Sequence, residues 1–236
     1  MNRALKVTRL QMNKPDITFI VPASILLIVL VISAIIALAI QRSGVDPSTP
    51  GYVDGARSNQ AMFWALPGFL IYLGVQAVST TFPFALALGT TRRAFVAGTA
   101  LANLMQAAYI SLLMLALLGL ELATNHWFFG LYVLDTYVVG AGNPWQLLAS
   151  AFIGTFVSLS IGGIFGAVWV RFGAKGPTVL GLVLGLAAAL LLLFFAPRLG
   201  EIFAAMTLPM VAVGAIGVAL LALAGTWLCM RRTAVR

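Results

Sequence analysis

Two adjacent arginines, Arg92 and Arg93, stand between apolar runs in FPFALALGTTRRAFVAGT, residues 82–99. A guanidinium holds its donors in a planar fork that matches a carboxylate, a geometry an ammonium does not reproduce. The pair has two open uses: it anchors a loop at anionic headgroups, or it docks acidic groups of a partner. Other reactive residues are sparse. The one histidine, His126, lies between Glu121 and Asp135. That spacing suggests at most a loop site, and the alternative is a histidine at a membrane interface. The single cysteine, Cys229, excludes an intrachain disulfide and a cysteine cage for a metal. Ser158 and Ser160 offer hydroxyls to a cargo or back to their own helix. The sequence offers no Ser/His/Asp constellation and no Gly-x-x-x-x-Gly-Lys-Ser/Thr loop to cradle phosphates. No catalytic or metal-ligating residue is assigned, and no cofactor is expected in this chain.

The elements that hold these residues do not face water. Of the 236 residues 61% are hydrophobic and 8% charged, with a mean hydropathy of +1.04. Soluble chains carry about 25% charge, so this one lacks the charge to coat a wet surface. A helix needs about 20 apolar residues to cross about 30 Å of hydrocarbon. Six runs qualify, near 17–40, 61–86, 94–120, 145–170, 178–196 and 208–230. The predicted fold is all-α: a polytopic membrane protein with six transmembrane helices over 17–230, preceded by an amphipathic interfacial helix over 1–16 and followed by a tail, 231–236. Ala37-Leu38-Ala39 resembles a signal-peptide cleavage site, but the run before it is too long for a signal core, so the first span is read as retained.

Turn chemistry marks the breaks. Residues 41–60 read as a polar Gly/Pro-rich loop, RFGAKGP (171–177) as a basic turn, and PRLGE (197–201) as a short connection. The loop 121–143 carries HWFFGLY, an aromatic cluster suited to the headgroup region. Six spans place both termini on one side with the loops near 87–93 and 171–177. That side collects eleven Lys and Arg: Arg3, Lys6, Arg9, Lys14, Arg92, Arg93, Arg171, Lys175, Arg231, Arg232 and Arg236. The other side holds Arg42, Arg57 and Arg198. By the positive-inside rule both termini are cytoplasmic, and the net charge of +8 is a topology signal needing no nucleic-acid partner.

In the first sixteen residues, Arg3, Lys6 and Arg9 share one side of a helical wheel and Met1, Leu5 and Met12 another, with Leu10 on the basic side. The element reads as a helix on the inner leaflet or as a basic tail held by anionic lipid; Asn13 and Pro15 would end the helix. None of the six runs contains an ionisable residue of the kind ion-coupled transporters place at membrane depth, so the energy for any work comes from another chain. The runs carry small residues instead. Ser150, Gly154, Ser158, Gly162 and Gly166 recur every fourth residue, and Gly181 and Gly185 form a GxxxG. Such ridges let backbones approach closely, within one chain, between chains or along a translocation wall.

Residues 88–99, LGTTRRAFVAGT, resemble the cytoplasmic loop between spans two and three of type-2 ATP-binding-cassette exporter permeases. Thr91, Arg92, Arg93, Phe95 and Gly98 match the pattern, while Gly89 stands where many members have proline and Thr99 where many have lysine. Chain length, N-terminal helix and six spans extend the resemblance over nearly the whole chain. It implies a bacterial half-transporter in the cytoplasmic membrane, paired with a second permease chain. A separate ATP-binding-cassette ATPase, holding ATP and Mg2+, would dock at Gly89, Thr90, Thr91, Arg92, Arg93 and Phe95. The implied cargo is an amphipathic or hydrophobic drug, peptide or lipid. The short connection after span five leaves little room for the re-entrant helices of some members. The rival reading is a membrane-embedded immunity, sensor or assembly factor that moves nothing.

Overall fold

Prolines punctuate the helices of this chain. The computed structural model describes residues 3–231, except the side chain of Phe203; Met1, Arg232, Arg236 and the other residues of the 232–236 tail lie outside the described residues. The α-helices are α1 (Arg3–Gln11), α2 (Val21–Arg42), α3 (Pro50–Arg57), α4 (Ala61–Trp64), α5 (Pro67–Ser79), α6 (Thr81–Ala87), α7 (Arg92–Ala123), α8 (Pro144–Phe172), α9 (Lys175–Phe195), α10 (Leu199–Ala205) and α11 (Leu208–Met230). No strand occurs among the described residues. Six helical stretches are long and apolar enough to cross a membrane: Asp16–Arg42, Pro50–Ala87, Arg92–Ala123, Pro144–Phe172, Lys175–Ile202 and Leu208–Met230. They contain the six expected runs whole, and five reach further, taking in charged residues.

Three expectations are corrected. The run 61–86 is not one helix but α4, α5 and α6, interrupted at Ala65–Leu66 and at Thr80. Pro67 and Pro83 lack the N–H that the carbonyls of Phe63 and Ser79 would accept, so the ladder opens one turn before each. Thr80 and Thr81 turn their hydroxyls back onto the carbonyls of Gln76 and Ala77 beside the second break. The loop 41–60 contains α3, started by an extended Thr49 and by Pro50, whose fixed φ suits a first helical turn. The connection 197–201 is helical as well, a 3-10 turn Ala196–Arg198 running into α10.

The chain divides into two compact units, each with its own interior. The first comprises the residues up to Gln11, Ile71–Leu101 and Val157 onward. Val7, Val78, Phe82, Phe95, Ala167 and Met230 form its core. The rings of Phe82 and Phe95 meet edge to face, 5.1 Å between centroids. The basic side of α1 is exposed as expected, but Val7 and Thr8 are buried and Leu10 packs on this core, giving the helix a third, protein-facing side. In the same unit α9 buries no residue, and Leu193 and Phe194 on it are more than 70% exposed.

The second unit comprises Met12–Leu70 and Ala102–Phe156. A π-type turn, Asp16–Ile20, leads into α2. Pro22 supplies no N–H to the carbonyl of Thr18, and Gln106 Nε2 donates to that oxygen instead at 2.7 Å. Tyr109 donates its hydroxyl to the next carbonyl, that of Phe19, at 2.9 Å and sets its ring edge-on to Phe19. These bonds meet the rule that buried backbone oxygens find donors, which is strictest where water is excluded.

Candidate functional site

The turn between α6 and α7 is closed from both ends. Gly89 adopts a φ of +76°, its N–H donates to the carbonyl of Leu86 at 2.9 Å, and the N–H of Thr90 donates to that of Ala85 at 3.0 Å. This double bond with a left-handed glycine is a Schellman motif, which satisfies the last carbonyls of α6. Thr91 Oγ1 then accepts the N–H of Ala94 at 3.3 Å and caps the start of α7. A chain that ends one helix and caps the next within three residues has little freedom to swing.

α1 stitches the same pair. Thr8 Oγ1 donates to the carbonyl of Gly98 at 2.9 Å, and Gln11 Nε2 donates to the carbonyl of Ala77 at 3.0 Å and to Thr99 Oγ1 at 2.9 Å. A Cβ on Gly98 would come within 2.5 Å of the Ala4 carbonyl oxygen, so only glycine lets α1 lie this close. One side chain, Gln11, thereby bonds both α5 and α7.

The two arginines part company here. Arg92 Nη1 donates to the carbonyls of Met230 at 3.0 Å and Arg231 at 2.8 Å, and Arg171 Nη1 reaches that of Leu228 at 3.3 Å. Two cations therefore sit on the free carbonyls at the C-terminus of α11, where a helix is negative. Arg93 is exposed, its guanidinium 5.9 Å from the centre of the Trp227 ring. Phe95, placed at the coupling loop by resemblance, has no exposed surface and belongs to the core. Of the six residues expected to dock an ATPase, Gly89, Thr90 and Thr91 build the turn, Arg92 and Phe95 face their own chain, and Arg93 presents a charge outward.

The small-residue ridge of α8 divides along its length. A Cβ on Gly162 would collide with the carbonyl of Ile71 and the Cα of Gly74, and one on Gly166 would come within 2.7 Å of the Val75 carbonyl. These glycines are occupied by α5 of the same chain. Gly154 has open space where a Cβ would stand. Ser150 bonds back to Leu147, and Ser158 and Ser160 are buried with partners of their own. On α9 a Cβ at Gly181 would only touch Phe165, and Gly185 meets nothing.

A polar cluster in the second unit was not expected in this form. Glu121 lies in the last turn of α7, not in a loop, and is wholly buried. Its carboxylate accepts the backbone N–H groups of Val133 at 3.0 Å, Leu134 at 2.8 Å and Asp135 at 3.2 Å. Asp135 Oδ2 is 2.7 Å from Arg57 Nη2 and 3.0 Å from His126 Nε2, and the His126 ring lies 4.1 Å from that of Tyr132. His126 is thus a hydrogen-bond partner of Asp135 in the cluster. Asn125, His126, Trp127 and Phe128 all have φ between 50° and 65°, a conformation that costs about 1–2 kcal/mol per residue. Bonds from Trp127 N–H to Thr124 Oγ1 and from Leu131 N–H to the His126 carbonyl hold the run in place. Of the expected aromatic cluster, Phe128 is the ring that stands clear, 86% exposed. Tyr137 donates to Asp54 Oδ1 at 2.8 Å, which raises the pKa of its phenol. The sequence signal for the cluster is the lone histidine between two acids; its fourth member, Arg57, is remote in sequence. Among the described residues no group of three His, Cys, Asp or Glu could hold a metal ion.

The chain matches no family model, no curated protein and no solved structure.

Proposed function

We propose that this chain is the membrane-spanning permease subunit of an ATP-driven exporter of the type-2 ATP-binding-cassette kind, in a bacterial cytoplasmic membrane with both termini inside. The eleven-to-three division of basic residues supports that orientation. A separate ATPase, carrying ATP and Mg2+, docks on the 88–93 turn and performs the hydrolysis; this chain performs none. A second permease chain, identical or paralogous, completes the path for an amphipathic or hydrophobic cargo.

The observation that carries the reading is the stitched turn. A partner pressing on an exposed guanidinium does work on the membrane helices only if the turn beneath it does not yield. Here Gly89 and Thr91 cap both helix ends, and Gln11 bonds α5 and α7 together. Force on Arg93 would reach α6 and α7 as a pair, with α1 as the brace. Arg92 supports the last helix in this scheme, and Arg93 supplies the fork for a carboxylate of the ATPase.

Affinity purification from native membranes tests this directly. An ATPase chain with a Walker A loop should accompany the wild type, with two permease chains per complex by native mass spectrometry. Arg93→Lys should insert normally yet lose the ATPase. Recovery of a single permease chain with no ATPase would overturn the proposal.

A further inference from the structure

The second unit contains a cavity that the docking scheme does not use. It lies between α2, α3 and residues 131–132 and has a volume of about 500 Å3. Ligand sites run to about 300–1,000 Å3 and are mostly apolar, with a few polar groups fixing orientation. Ile36 and Ile40 line it from α2, Tyr52 and Tyr132 also border it, and no charged side chain lines the space. α3 contributes Gly51, Tyr52, Gly55 and Ala56 to the lining, the two glycines about one turn apart. A Cβ at either would meet nothing within 4 Å. Glycine in a helix costs about 1 kcal/mol against alanine. Two such positions in an eight-residue helix, with no neighbour that requires them, keep a volume open at the expense of the helix.

We infer that this cavity holds one acyl chain of a membrane lipid, with its headgroup end at Tyr52 and Tyr132. The inference rests on the bilayer location proposed above and not on the transport reading. Ile36 is 54% and Ile40 41% exposed, and both continue the bare apolar face of α2 formed by Ile28, Ile32 and Ile35. A chain can therefore enter sideways from the lipid without crossing a polar barrier. An uncharged wall accepts methylene groups and rejects an ionic ligand, which would lose its water with no counter-charge to replace it. Filling the space supplies the dispersion contacts that an empty cavity withholds from its lining. Tyrosines suit the headgroup level because their rings are apolar and their hydroxyls polar.

Phosphatidylcholine vesicles in which a fraction of the lipid carries a diazirine along one acyl chain provide the probe. Ser33 and Ala37 face the cavity and are each only 7% exposed, so bulk lipid does not reach them. The helix α9, which buries no residue, is the control for insertion. Photolysis should label Ser33 or Ala37 as well as α9. In Gly51→Leu and, separately, Gly55→Leu, a leucine occupies the space, and the cavity label should fall about fivefold or more with the α9 label unchanged. Label on α9 with none at Ser33 or Ala37 would overturn the lipid site while leaving the bilayer location standing. Cavity label that persists in both leucine variants would overturn it too. Absence of label on α9 as well would overturn the bilayer location, and the site with it.

Discussion

Arg92 Nη1 lies 2.8 Å from the carbonyl oxygen of Arg231, a residue 139 positions further along the chain. The bond places a cation on the C-terminus of α11 and ties that helix to the turn before α7. Arg92→Ala should therefore lower stability by about 0.3–1 kcal/mol, the worth of a cation at a helix end. Thermal unfolding in detergent measures it. Arg93→Ala should cost less, since Arg92 also loses two charge-assisted hydrogen bonds whereas Arg93 loses only an exposed cation–π contact. Equal losses for the two variants would contradict the division of roles.

Transport should divide the same pair in the opposite sense. Arg92→Lys keeps a charge on the carbonyls and should transport nearly as wild type. Arg93→Lys keeps charge but not the fork, and should lose transport-coupled ATP hydrolysis in proteoliposomes while inserting normally. A transporting Arg93→Lys variant would end the docking role.

The glycines of α8 should differ sharply from one another. Gly162→Ala forces a methyl into the backbone of α5 and should destabilise by about 1–3 kcal/mol or more, as overpacking does. Gly154→Ala has open space and should be neutral or slightly stabilising, because alanine favours the helix. Gly162→Leu would break the chain's own packing before it reported on any second chain. Gly185→Leu, on a free face of α9, is the cleaner probe of dimer formation by native mass spectrometry.

Glu121→Ala should be among the most damaging single changes. It leaves three buried N–H groups without an acceptor, at about 1–3 kcal/mol each before any relaxation. Glu121→Gln retains an acceptor oxygen and should cost less. The order Ala worse than Gln, read from melting temperatures, is the checkable outcome; equal losses would mean that the negative charge, which both variants remove, matters more than the bonds.

Tyr137 should ionise at higher pH than a free phenol, because its hydrogen bond to Asp54 favours the neutral form. A raised folded-state pKa makes this bond's contribution complete below the ordinary tyrosine range and lost as pH rises through the folded value. Asp54→Asn should bring the Tyr137 transition down, followed by the NMR signal of labelled tyrosine Cζ. An unmoved transition would mean that the bond does not hold in solution.

How much of this was legible in the sequence depends on the range of each interaction. The six long apolar stretches were readable because hydrocarbon thickness sets a length any chain must meet. The caps at Gly89 and Thr91 are local as well, since their bonds close within a few residues. The breaks at Pro67 and Pro83 were written in the residues but masked by hydropathy, which averages over them. Pro50 suits both a loop and a first helical turn, and its neighbours Gly51 and Gly55 favour the loop by composition. Arg92 was beyond reach: its partners are backbone carbonyls of residues 230 and 231, and no side-chain pattern announces them. The same holds for Glu121, whose donors are main-chain groups shaped by a loop.

The anchoring of α1 also bears on the order in which the chain is assembled at the ribosome. Thr8 bonds to Gly98, 90 residues later, and Gln11 to Ala77 and Thr99. The helix has no buried seat until those segments have been synthesised and folded. Until then the side chain of Gln11 lacks the partners that hold it in the finished chain, while Thr8 has the carbonyl of Ala4 within its own helix. Both segments must be in place before α1 docks, so a stall after the first apolar stretch would leave residues 3–11 open to proteases, whereas the finished chain should protect them.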